Sequence, residues 1–337
     1  MKNNIGKIFT LIILAGLLVG AVVLFNSSPA DADTDIHIWP GPAEVYTSDL
    51  LFEEDSSGLD FYDNQLYAVD NGTSLVWILD IMEDGTLQPA KGYEHGKAIL
   101  FPDGVTYPDS EGITVDEEKN IYIASESGPV ETELSHNFVL QLPSDADIDD
   151  VTASQVWDLN DSLPAVKENK GIEAIEWVAA KDVEGKFFDQ NTRKLFDIKE
   201  YPDAIAEGVF FVSLEYNGHV YAYVLNKDGS SVQIAEFNPN LGGAMALDYD
   251  ADSKLLWIIT DNNFNNKSAV LCFNGSDTPD IAYVNAPAGV DVTHNHEGFA
   301  IGAHSGDAVQ VYRFCDGEET RALSMGYLDL QYSDIIF

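Results

Sequence analysis

Positive charge is what this chain lacks most. Lysine and arginine together number 17 in 337 residues, against 57 aspartates and glutamates, and the formal net charge is -40. A surface of that sign repels nucleic-acid phosphates and anionic lipid headgroups, which excludes a nucleic-acid role. Arg193, Arg313 and Arg321 are the whole equipment for bidentate grip on phosphate or carboxylate. Cations are the partners such a surface attracts. Excess carboxylate also keeps a protein soluble in salty water, and that explanation is compatible with bound calcium.

Cysteine is almost as scarce. Cys272 and Cys315 fall within strands of neighbouring repeats, and they read as two buried thiols, with a disulfide left open if the compartment is oxidising. No Gly-x-Ser-x-Gly, His-Glu-x-x-His or nucleotide-binding loop is present, so nothing supports a serine-nucleophile esterase. Beyond the N-terminal segment no stretch keeps a helical period, and the class is all-β.

The N-terminus is the one strongly apolar segment. Lys2 and Lys7 precede an apolar or small run from Ile8 to Phe25, followed by Ala30-Asp31-Ala32, the charge, core and small-residue order of an export signal. The run approaches the ~20 residues that span a bilayer, so residues 1–32 read either as a signal peptide or as an N-terminal membrane anchor. Either way the chain is exported: extracellular, periplasmic or anchored to the outer face of the cytoplasmic membrane. The membrane is touched only through this segment, and no cysteine follows it to carry a lipid. Asn-x-Ser/Thr sequons stand at Asn71, Asn160, Asn266 and Asn274.

Residues 33–337 read as one domain built on a repeat. Short aromatic and β-branched runs such as Leu66 to Val69, Leu75 to Leu79, Asn120 to Ala124, His219 to Leu225 and Leu255 to Ile259 are bounded by turn residues. Five times, a glycine opens one strand and an acid closes the next. The openings are Ser57-Gly58, Glu111-Gly112, Lys170-Gly171-Ile172-Glu173, Gly242-Gly243-Ala244-Met245 and Glu297-Gly298. The closings are Asp70, Glu126, Glu215, Asp261 and Asp316. Four of the five glycine-to-acid spacings suit a hairpin, and the third carries an insertion over about 179–207, in which Phe187, Phe188, Leu195 and Phe196 suggest packing against the body.

Third and fourth strands follow most acids, so the unit is a four-stranded antiparallel blade of a β-propeller. Five motif copies favour five blades, with six open if unmarked segments form another. An orphan strand around Ala43 to Leu51 closes the ring, which removes an exposed sheet edge.

At these residues the chain resembles the SdiA-regulated family of exported β-propellers, related to the phytase-like esterase and gluconolactonase propellers. The resemblance is carried by Ser57-Gly58-Leu59-Asp60 with Leu66 to Asp70, by Asp109 to Val115 with Asn120 to Glu126, by His296-Glu297-Gly298-Phe299-Ala300, and by Leu256 to Phe264. It covers roughly Ser56 to Gly326. It implies calcium at one mouth of the central channel. The first and fourth openings depart from the pattern with Ser57 and Gly242, and the third places Lys170 where the second has Glu111.

In an antiparallel hairpin the start of one strand lies beside the end of the next. Glu111 should therefore neighbour Glu126, and Glu297 should neighbour Asp316. With the glycine-led strand innermost, Glu111, Glu297, Glu173, Asp70, Glu126, Glu215, Asp261 and Asp316 are brought toward one mouth, where mutual repulsion calls for a hard cation and the oxygen donors suit calcium. The alternative is that the closing acids cap turns of their own blades.

Asp248-Tyr249-Asp250-Ala251-Asp252 imitates the start of a calcium loop but reads as a hairpin turn. His294 and His296 at alternate positions could serve a transition metal or simply precede a strand. Two functions follow: a calcium-binding module that takes a small molecule, glycan or protein at its mouth, or a metal-dependent hydrolase of a small ester, lactone or phosphoester. Phytate is disfavoured by the scarcity of lysine and arginine.

Overall fold

The computed structural model describes residues 36–46, 52, 55–129, 133–143, 150–317 and 322–337. The segment read as a signal or anchor lies outside the described residues. No helix among the described residues is long and apolar enough to cross a membrane.

The described chain is a five-bladed β-propeller. From the inner strand outward, blade 1 holds Ser56–Tyr62, Gln65–Asp70, Leu75–Ile81 and then both Leu87–Pro89 and Lys97–Leu100, with Asp150–Thr152 running parallel outside. Blade 2 holds Ser110–Val115, Ile121–Ser125, Phe138–Leu142 and Gln155–Asp158. Blade 3 holds Ile172–Ala179, Gly208–Leu214, Val220–Leu225 and Ser231–Phe237. Blade 4 holds Ala246–Asp250, Leu255–Ile259, Ser268–Cys272 and Asp280–Val284, with Ile36–His37 parallel on its edge. Blade 5 holds Asn295–Ser305, Ala308–Asp316 and Leu323–Asp329, and Val45–Tyr46 supplies its fourth strand. The N-terminal strand thus closes the ring, as its lone position in the sequence suggests. After Leu323–Asp329 the chain ends in the short helix Tyr332–Ile336.

Alternation explains why these strands stack into a ring. Successive side chains leave a strand on opposite faces, so each blade has an apolar face for each neighbour. In blade 2, Ile121 and Ile123 join the core shared with blade 1, while Tyr122 and Ala124 join the core shared with blade 3. Five such cores exist, one per interface, and the fifth packs Leu59, Leu66 and Ala68 of blade 1 against Ala300, Tyr312 and Phe314 of blade 5. The inner strand of blade 2, Ser110–Val115, is buried throughout, because each of its faces packs against a neighbouring blade.

The N-terminal closure has a chemical lock. Glu44 accepts from Arg313 Nε at 3.2 Å and from Ser324 Oγ at 2.9 Å, with both charged side chains fully buried. Burial raises the Glu44 pKa, and Arg313 opposes it. The guanidinium lies over the rings of Trp39 and Phe299 at 5.2 and 5.0 Å.

The insertion between the first two strands of blade 3 packs through Phe187, whose ring meets Phe211, Phe237 and Phe273 edge-on or nearly so, and through Phe196. Leu195, expected to pack with them, is exposed. Cys272 and Cys315 are free thiols on blades 4 and 5; Cys315 is buried as expected, whereas Cys272, on the third strand of its blade, is only half-buried.

Candidate metal centre

Three β-bulges aim three glutamates at the channel mouth. In blade 2, Ser110 pairs with Ser125 and Gly112 with Ala124, so Glu111 is an extra residue facing no partner. Blade 3 repeats this with Glu173 between Ile172 and Ala174, and blade 5 with Glu297 between His296 and Gly298. A bulge bends its strand and re-aims a side chain away from the ladder. The corresponding residues are Ser57 in blade 1 and Met245 in blade 4, which directly precedes Ala246.

This register corrects the third and fourth copies. A Cβ on Gly58 would stand 2.7 Å from the Gly112 Cα, and one on Gly112 would stand 2.8 Å from the Ala174 Cα. Ala174, and not Gly171, therefore occupies the place of Gly112. Glu173 takes the place of Glu111, and Lys170 does not.

The mouth is a cavity of about 370 Å³ lined by Asp55, Asn71, Gly72, Asp109, Glu111, Glu126, Asn169, Lys170, Glu173, Glu215, Met245, Glu297 and Asp316. One oxygen each from Asp109, Glu111 and Glu126 lie within 4.8 Å of one another. Glu111 accepts from Ser57 Oγ at 3.1 Å and from Asn71 Nδ2 at 3.2 Å. Glu126 accepts from the Gly171 amide at 2.6 Å and from Ser135 Oγ at 3.3 Å. Asn295 bridges Glu297 and Asp316 at 2.8 and 3.0 Å. Glu215 is held by Lys170 at 2.6 Å through both oxygens. Glu173 is 7% exposed and has no hydrogen-bond partner among the described residues.

Burial first, and the neighbouring carboxylates second, push these groups toward their protonated forms. Glu111 and Glu173 are raised well above the usual value. Glu297 is raised to about 8, with Asp316 its nearest like charge, and Glu126 to about 7. Asp109 and Asp316 move up for the same first reason.

Of the eight acids expected at the mouth, six line it. Asp70 pairs with Ser56 inside the ladder, is fully buried, and accepts from the Thr73 amide at 2.7 Å and its hydroxyl at 2.6 Å. The next residue, Asn71, takes the mouth position that Glu126 has in blade 2. Asp261 accepts from the Asn263 amide at 3.0 Å and from its side chain at 2.6 Å, capping the 3-10 turn Asn262–Phe264. Both acids follow the capping alternative. Asp55 and Asp109 were not among the expected residues. Their signal is position, since each stands immediately before an inner strand.

A second set of acids was missed at the other end of the channel. Asp60, Glu176 and Asp248 each accept a backbone N–H from the next blade, at Val115, Tyr249 and Ile301, at 2.7, 3.3 and 3.1 Å. Thr114 does the same for Trp177 at 2.9 Å. These positions lie two residues past the close-approach position of each inner strand, and in blade 5 Ala300 holds it. Burial raises all three carboxyls, Asp60 to about 6. They clasp neighbouring blades, and one oxygen from each lies within 4.8 Å of the others, so these three acids form a second carboxylate cluster able to hold a cation.

Asp250 and Asp252 form the expected hairpin turn, with the Asp252 amide on Asp250 Oδ1 at 3.0 Å. His296 is fully buried in blade 5, where desolvation and Arg313 lower its pKa to about 3. It is a neutral core histidine. Among the sequons, Asn71 lines the mouth, Asn266 is fully buried and Asn274 is exposed.

Fold and site define the class: a five-bladed β-propeller with a carboxylate-lined channel mouth. No protein-family model matches the chain, and the search of curated proteins returned no match. Among solved structures, glutaminyl cyclase of Myxococcus xanthus is 10% identical, with a TM-score of 0.45 over 86% of this chain and 98% of that one. A 6-phosphogluconolactonase-like protein of Bacteroides uniformis is 16% identical, with a TM-score of 0.34 over 81% and 71%. A Lactobacillus plantarum protein is 10% identical, with a TM-score of 0.39 over 81% and 74%. Similarity at this level transfers no activity.

Proposed function

We propose that this chain is an exported calcium-binding β-propeller of the SdiA-regulated type, acting as a binding module for a small molecule, glycan or protein at its channel mouth. The observation that carries the reading is Glu173: a carboxyl 7% exposed, without a hydrogen-bond donor among the described residues, lining a cavity that Glu111 and Glu297 enter from equivalent bulges. Hard oxygen donors suit calcium, and a divalent ion removes the repulsion that burial magnifies. When bound, calcium supplies positive charge and coordination positions. Glu111, Glu173 and Glu297 would hold it, with Glu126 and Asp109 beside Glu111.

The test is thermal unfolding with calcium and with chelator. Calcium should raise the melting temperature of the wild type, and Glu111→Gln combined with Glu297→Gln should abolish the difference. Identical wild-type curves in both conditions reject calcium.

A second reading rests on the size of the cavity, which at about 370 Å³ exceeds the space of a single ion. It makes the protein a metal-dependent hydrolase of a small ester, lactone or phosphoester of the phytase-like esterase kind. A panel of chromogenic substrates assayed with calcium decides it. Turnover no greater than in the double variant rejects the enzyme.

A further inference from the structure

The mouth is not equally charged around its circumference. Blades 2, 3 and 5 place Glu111, Glu173 and Glu297 at the bulge position, whereas blade 4 places Met245 there. The second acid position of blade 4 is also withdrawn, because Asp261 is engaged by Asn263 and does not line the cavity. Met245 is the sole cavity-lining residue of blade 4 among the described residues. The chain leading to Met245 is held close to the Phe264 ring, which a Cβ on Gly243 would meet at 2.6 Å.

We infer that blade 4, the blade that lines the mouth with no carboxylate, is the ligand side, where a cation held by blades 2, 3 and 5 keeps coordination positions open and a ligand oxygen enters with its apolar flank against Met245. The inference rests on the cation reading above and deepens it. The chemical class is an oxygen-bearing ligand, a carboxylate or phosphate, attached to an apolar group: the oxygen completes the ion's shell, since a thioether is a poor ligand for a hard cation, and the aliphatic part finds a soft, adaptable wall. A carboxylate at position 245 would fill the same space and close it.

Europium luminescence lifetimes in light and heavy water test this directly, because they count the water molecules on the bound ion. The wild type should bind europium with several inner-shell waters. Acetate, butyrate and butyl phosphate, used as probes, should displace some of them, butyrate at a concentration several-fold lower than acetate. Met245→Glu should bind the ion more tightly, by about tenfold because one charged ligand is added, and show fewer waters and no response to the probes. Met245→Leu, which keeps the apolar wall without adding a donor, should behave as the wild type. Met245→Gln repeats the test with a neutral oxygen if the glutamate variant does not fold.

Europium bound with an unchanged water count in both the glutamate and glutamine variants overturns the inference while leaving the cation reading intact. A probe response in the wild type that does not distinguish acetate from butyrate removes the apolar wall and overturns the ligand class. Failure of the wild type to bind europium or calcium overturns the cation reading itself, and the inference with it.

Discussion

Glu173 concentrates the physical problem of the mouth, because burial of a carboxyl without a donor favours its neutral form. Burial also raises Glu297 to about 8 and Glu126 to about 7, from an ordinary 4.5, although both accept hydrogen bonds. A carboxyl whose folded pKa is raised contributes stability that is fully present below its unfolded value and is lost as the pH rises through the folded one. Chelated protein should therefore lose melting temperature between pH 4.5 and about 8. Calcium should restore the alkaline end and do little at the acid end, where protons already occupy the site. Calorimetry across that range checks this, and equal slopes with and without calcium contradict it.

At the scale of elements, the bulge decides which residues reach the channel. The strands themselves were legible, because short aromatic and β-branched runs bounded by turn residues recur along the chain. Register was not. Counting from glycine placed Gly171 where the fold uses Ala174, since the small residue needed for close approach is alanine in blades 3 and 4. A slip of one residue turns a side chain to the other face, which is why Asp70 is in the ladder and Asn71 is at the mouth. The clasps Asp60, Glu176 and Asp248 were hidden for a different reason: they look like ordinary polar positions within strands, and only the next blade's amides give them a role.

Two element-level outcomes follow. Glu44→Ala leaves the buried Arg313 charge without its carboxylate, and unfolding experiments should show a loss of about 3–5 kcal/mol, as for other broken buried pairs. Asp60→Asn, which keeps an oxygen for the Val115 amide, should remove part of the alkaline destabilisation centred near pH 6 in a way that calcium does not mimic. A loss under about 1 kcal/mol for the first, below the range for broken buried pairs, or an unchanged pH profile for the second, contradicts these assignments.

At the scale of the whole molecule, a net charge of -40 sets the background for every site. Self-repulsion of that size is screened by salt, so the chelated protein should gain melting temperature with added sodium chloride. The calcium effect differs in being saturable and in depending on the mouth glutamates. Ring closure is a whole-molecule property as well: five apolar interfaces hold the blades while the inner strands carry carboxylates at both ends of the channel. Calorimetric titration of calcium into the chelator-stripped protein at neutral pH, on the wild type and on Glu173→Gln, tests the central claim most directly. The expected result is saturable binding by the wild type, weakened at least ~tenfold by loss of one charged ligand. The account is contradicted by a wild type that binds no calcium, or by a variant that binds it equally well.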